Sequence, residues 1–93
     1  MARYFFDVDD GEQFSSDDTG TVFKNAQDMR DAAIRLLAEI AVDIFPDGNQ
    51  RRMAVTVRQG GDSSTVFTAD LTLQAEWVQP VSDGSGTQAN LPG

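Results

Sequence analysis

One stretch, Asn25–Phe45 (NAQDMRDAAIRLLAEIAVDIF), constrains this chain more than any other. Its apolar residues recur at Met29, Ala33, Leu36 or Leu37, Ile40 and Ile44. Steps of three and four are the recurrence of one buried helical face. A second row, Ile34, Leu37, Ala41 and Phe45, widens that face, while Gln27, Asp28, Arg30, Asp31, Arg35, Glu39 and Asp43 lie mostly away from it. Asn25 is a good N-cap, because its side-chain oxygen accepts an orphan amide at the helix start. Asp28 follows three residues on, at the positive end of the helix dipole. Asp31 and Arg35, four apart in the favourable order, add about 0.2–0.5 kcal/mol. Pro46 stops the helix: it lacks an amide hydrogen and restricts Phe45. A helix apolar on one side needs a surface to cover, and the segments around it read as strands.

Arg3–Val8 is the first of these. Tyr4, Phe6 and Val8 share one face, and Arg3, Phe5 and Asp7 share the other. Asp9-Asp10-Gly11 is a turn signal, Gln13–Ser16 a short return strand, and Asp17-Asp18-Thr19-Gly20 a second turn. Thr21-Val22-Phe23 leads, extended, into the helix. After Asp47-Gly48-Asn49, the third strand is Arg52–Arg58, with Met53, Val55 and Val57 alternating against Ala54, Thr56 and Arg58. Gln59-Gly60-Gly61-Asp62 is a hairpin turn. The fourth strand runs over Ser64–Trp77, with Phe67, Ala69, Leu71, Leu73, Ala75 and Trp77 inward. The resulting expectation is an α+β domain of order ββαββ over residues 1–78: an antiparallel sheet of two hairpins with one long helix on one face. Residues 79–93 lack a period and are expected to form a flexible tail.

A chain of 93 residues is one domain at most, and 40% hydrophobic content suffices for a small core. Cysteine and histidine are both absent, which removes disulfides, thiol nucleophiles, the usual zinc ligands and imidazole acid–base chemistry. The net charge of −8 repels phosphate backbones and argues against a nucleic-acid partner. Arg51-Arg52, with Arg58 further on, is the only local basic group. A basic protein surface is the partner such a charge favours. No run reaches transmembrane length, and Met1–Tyr4 lacks a signal-peptide layout, so a cytoplasmic protein without a membrane partner is expected.

The acidic segment is the most unusual feature. Asp7, Asp9, Asp10, Glu12, Asp17 and Asp18 stand within a dozen residues with no Lys or Arg among them. Hard cations take several oxygens, so divalent-metal binding at this hairpin is the alternative function. The spacing fails the helix–loop–helix calcium pattern, since with Asp7 at position one Gly11 falls at position five, not six. Turn formation and surface charge account for the segment better, and no metal or cofactor ligand is assigned. Ser15, Ser16, Ser63 and Ser64 have no His partner and only Lys24 as a Lys-type base, so no catalytic residue is assigned and no enzyme is expected. Gly60-Gly61 lacks the strand–glycine–helix order of a phosphate loop. Phe5 and Trp77 are candidates for an oligomer contact, and the short sheet's exposed edges suggest a homodimer.

Arg3-Tyr4-Phe5-Phe6 followed by Asp10-Gly11, then Asp17-Asp18-Thr19-Gly20, an Ala-rich helix and a β-hairpin resembles a family of small uncharacterised bacterial proteins. The likeness extends from Arg3 to about Leu73. Members often carry His near the positions of Asp7 and Asp9, where this chain has none. The resemblance implies a domain of unknown function and carries no activity onto a residue. The ββαββ order is also similar, at fold level, to HicB-type antitoxin domains. Composition, motifs and resemblance together point to a non-catalytic interaction or regulatory module, with the small-ligand or metal-binding protein as the alternative.

Overall fold

A computed structural model describes residues 1–62 and 64–81. Ser63 and residues 82–93, most of the expected tail, lie outside the described residues. The chain forms strand β1 (Ala2–Asp9), short strands β2 (Phe14–Ser15) and β3 (Thr21–Phe23), helix α1 (Ala26–Ile44), and long strands β4 (Gln50–Gln59) and β5 (Ser64–Gln74). All pairings are antiparallel. The fold is α+β, a five-stranded antiparallel sheet with one long helix on one face.

The helix follows the sequence closely. The Asn25 side chain accepts the Asp28 amide at 2.8 Å, in extended backbone, and this fixes the start. Pro46 falls within a 3-10 turn, Phe45–Asp47, that ends it. Met29, Ala33 and Leu37 are buried, while Leu36, Ile40 and Ile44 pack half-buried beside them. The sheet side of the core is Tyr4 of β1 and Met53, Val55 and Val57 of β4. Burying each of the larger side chains stabilises the domain by about 1.5–3 kcal/mol, so this column is the main source of fold energy. Phe23 stacks on Phe6 at 5.9 Å and tilts against Tyr4 at 6.1 Å, closing the core beneath the helix start.

Strand order is β2–β1–β4–β5, with β3 also on β1. The two longest central partners, β1 and β4, pair with Phe6 opposite Val57 and Val8 opposite Val55. On the other side of β1, the return chain is split. β2 pairs with Val8 and Asp9, and β3 with Ala2, Arg3 and Tyr4. The segment expected only as an extended lead-in to the helix is thus a paired strand. At the far side, β5 pairs with β4 alone among the described residues.

Two expectations for the last strand are corrected. Regular pairing ends at Gln74, not at Trp77, because β4 begins at Gln50, opposite Gln74, and offers no further partner. Ala75 makes one last bond, its amide donating to the Asn49 carbonyl at 2.8 Å. Beyond it Trp77 is 60% exposed and lies outside the core. Leu71, on the helix side of the sheet, remains 37% exposed because β5 is the outermost strand and α1 covers it incompletely.

Candidate functional site

The acidic hairpin comes first, as the sequence's most unusual feature. β1 carries Arg3, Phe5 and Asp7 on the face turned away from α1, and β4 carries Arg58 there, opposite Phe5. Asp7 is buried, with only 7% of its surface exposed. Arg58 grips it bidentately, Nε at 2.7 Å and Nη2 at 3.0 Å. The same Nη2 donates to the Asp17 carbonyl at 2.8 Å, and the guanidinium lies 5.1 Å from the centre of the Phe5 ring. Asp7 also accepts the Asp17 amide at 2.9 Å and the Ser16 hydroxyl at 3.4 Å. The Arg58 hydrogen bonds outweigh burial and hold the Asp7 carboxyl below its ordinary value. The Arg58 guanidinium is raised in turn, chiefly by Asp7.

Asp17 fills the gap in the split strand. Residues between β2 and β3 leave the Phe6 amide without a ladder partner, and the Asp17 carboxylate accepts it at 3.0 Å. Its other oxygen accepts the Thr19 and Gly20 amides, each at 3.0 Å. Bonds from Gly20 and then Phe6 keep this carboxyl below its ordinary value. Gly20 stands at φ +77°, and a Cβ there would come within 2.9 Å of Arg3 Cγ and Phe5 Cε2. Glycine is required both by the conformation and by the close approach.

The remaining carboxylates serve the β1–β2 turn. Asp10 accepts the Gln13 and Glu12 amides, which hold its carboxyl low. Asp9 accepts the Gly11 amide at 2.9 Å. Arg51, distant in sequence, donates to the Asp10 carbonyl at 3.0 Å and lies 3.8 Å from Glu12. Asp7, Asp9, Asp10, Glu12 and Asp17 are therefore engaged by backbone amides and by arginines of β4. They do not converge: among the described residues no three acidic groups gather around a point that a metal ion could occupy. The sequence showed no basic neighbour because Arg58 stands 51 positions from Asp7. The available signal was a charged residue inside the aromatic strand Arg3–Val8, which requires a partner when buried.

Two other features remain. An open cleft of about 620 Å³ lies at the helix C-terminus, walled by Phe45, Pro46, Asn49, Leu73 and Trp77. The outer edge of β5 is the second. From Thr65 to Gln74 it carries no Lys, Pro or Gly and a single charge, Asp70, which pairs with Arg52 at 3.1 Å. Helical spacing sets Ile34, Ala38 and Ala41 of α1, and Phe45 just after it, on one flank; Ile34 is 39% exposed and Phe45 shares the terminal cleft with Leu73 of β5. The opposite flank, Ala32, Leu36 and Glu39, faces Phe6 and Phe23. Phe5, a candidate contact residue, lies half-buried under the Arg58 guanidinium.

Fold and site together define a small α+β domain whose charged cluster locks its own backbone and whose outer β5 edge has no strand partner among the described residues. The chain belongs to the family described as Domain of unknown function (DUF6894), which matches residues 3–72. No curated protein and no solved structure matches it. Among the described residues, no helix is long and apolar enough to cross a membrane.

Proposed function

We propose that this domain is a non-catalytic protein-interaction module that takes up a polypeptide strand along the outer edge of β5. The observation that carries this reading is the edge itself. Ten residues, 65–74, present strand backbone with one charge, already paired, and no proline or lysine to repel a partner. Natural sheets guard their edges with such devices, and an unguarded edge is a template for strand addition. The other side of the sheet is guarded: β2 and β3 have two and three residues, and the Asp17 loop interrupts them.

A basic protein or divalent cation on the acidic hairpin is the weaker reading. Asp7, Asp10 and Asp17 have their oxygens engaged by Arg58 and by backbone amides. The likeness to HicB-type antitoxin domains is one of element order and transfers no activity.

The test compares the unaltered chain with the Thr68→Lys, Leu71→Lys variant in affinity capture from the native host. A stoichiometric polypeptide, another copy of the chain included, retained by the first and lost from the second supports the module. A cation or metabolite that raises the melting temperature of both alike, with no polypeptide bound, overturns it.

A further inference from the structure

We propose that the strand taken up by this edge is β5 of a second copy of the chain, paired antiparallel about a two-fold axis at Leu71. This rests on the reading of the β5 edge as the binding surface. A two-fold pairing keeps the helix side of one sheet level with the helix side of the other, so one β5 residue must face its own copy. With Leu71 on the axis, Ala69 faces the partner's Leu73 and Asp70 faces the partner's Thr72. An axis through Asp70 would set two carboxylates against each other, which is unfavourable. The Leu71 register uses Thr68–Gln74 and stays clear of the irregularity that leaves Val66 unmatched between Val57 and Arg58.

The helix layer leads independently to the same axis. α1 runs in the direction of β5, so the two helices of the pair run antiparallel. Their facing flanks then match themselves: Ile34 meets the partner's Phe45, and Ala38 meets the partner's Ala41, with small residues at the centre. The midpoint of that match lies about 8 Å back from Phe45 along the helix. Phe45 shares the terminal cleft with Leu73, and two strand residues back from Leu73, about 7 Å, is Leu71.

α1 packs on both β4 and β5, so its β5-side flank lies towards the two-fold, where facing helices would pack at the usual distance of about 8–10 Å. A seam of seven paired residues, about 24 Å long and about 20 Å high, offers about 480 Å² per chain, below the roughly 800 Å² of a standard interface, so the expected pair is a weak dimer. The net charge of −8 opposes association only through salt-screened repulsion, and charges near the seam are paired: Asp70 with Arg52, and Arg30 with Asp31 at 3.1 Å.

The chain contains no cysteine, so single-cysteine variants report the register directly. Leu71→Cys is expected to give a disulfide-linked dimer under mild oxidation, because facing Cα atoms lie about 4.5–5.5 Å apart. Asp70→Cys is expected to link poorly. Sedimentation of the unaltered chain should show a dimer, and Ile34→Glu with Ala38→Glu should give a monomer of unchanged helical circular dichroism. A chain that sediments as a monomer at about 100 µM overturns the proposal. So does a dimer that neither links through Leu71→Cys nor responds to the helix substitutions. If the chain is a monomer yet retains a different polypeptide in the edge-dependent capture, the interaction module stands and only the identity of its partner falls.

Discussion

Replacing Asp7 with alanine tests how much the charged lock contributes. The carboxylate accepts two bonds from Arg58, the Asp17 amide and a longer bond from Ser16. Removing it leaves the Asp17 amide without its acceptor and the guanidinium with only the Asp17 carbonyl. A hydrogen bond to a charged group contributes about 1.5–3 kcal/mol when buried. The Asp7 side chain is 9% exposed, but Arg58 is 22% exposed and water reaches it, which discounts the sum. The expected loss is about 2–3 kcal/mol, taken from a total of about 5–14 kcal/mol for a chain of this length. For such a domain that lowers the melting temperature by about 10–20 °C. Thermal unfolding at pH 7, followed by far-ultraviolet circular dichroism, measures it. In a cycle with Arg58→Gln, the double variant should lose much less than the two single losses added together. A melting temperature within about 2 °C of the unaltered chain would refute the assignment of the cluster as a structural lock.

Acid should weaken the same lock. Asp7, Asp10 and Asp17 all have folded values below the ordinary 3.8, so their stabilisation is full above that value and is lost as pH falls through the folded values. Urea midpoints should be flat from pH 7 to pH 5 and fall below about pH 4, and Asp7→Ala should flatten the fall. Leu37→Ala removes a fully buried side chain and should cost about 2–5 kcal/mol, whereas Ile34→Ala should cost much less in the monomer; chemical unfolding compares them. Asn25→Ala should cost about 1 kcal/mol by loss of the cap, read as a small drop in midpoint. Gly20→Ala should destabilise despite its small volume, because both φ and the Arg3–Phe5 contact forbid a Cβ; an unchanged midpoint would contradict that geometry.

The helix was legible because its signals are local: the period of Met29, Ala33 and Leu37, the Asn25 cap and Pro46 all act within a few turns. The alternation in β4 and β5 was legible for the same reason. Strand order was not, since a period of two says which residues share a face and nothing about which strand lies alongside. The alternation ran on to Trp77 although pairing stopped at Gln74, because the pattern continues after the neighbouring strand has ended. The acidic run was legible in part: the turn role expected of it is met by the amides that Asp9, Asp10 and Asp17 accept, but its long-range partners were not. Seen as sequence, six carboxylates crowd together; folded, Asp7 meets Arg58, Asp10 meets Arg51 through its carbonyl, and Asp17 meets the Phe6 amide. Those partners come from strand register, which no local motif encodes.

The Asp17 loop has a consequence for the proposed edge pairing. A sheet with two equivalent free edges adds chains without limit, each newcomer presenting a fresh end, and the product is a fibre. Here the Asp17 carboxylate occupies the amide that a newcomer would need on the β1 side, and β2 and β3 are too short to replace it. Each chain therefore has one valence. In the proposed pairing two such chains would saturate each other, and growth would end at a pair where an unblocked sheet would polymerise.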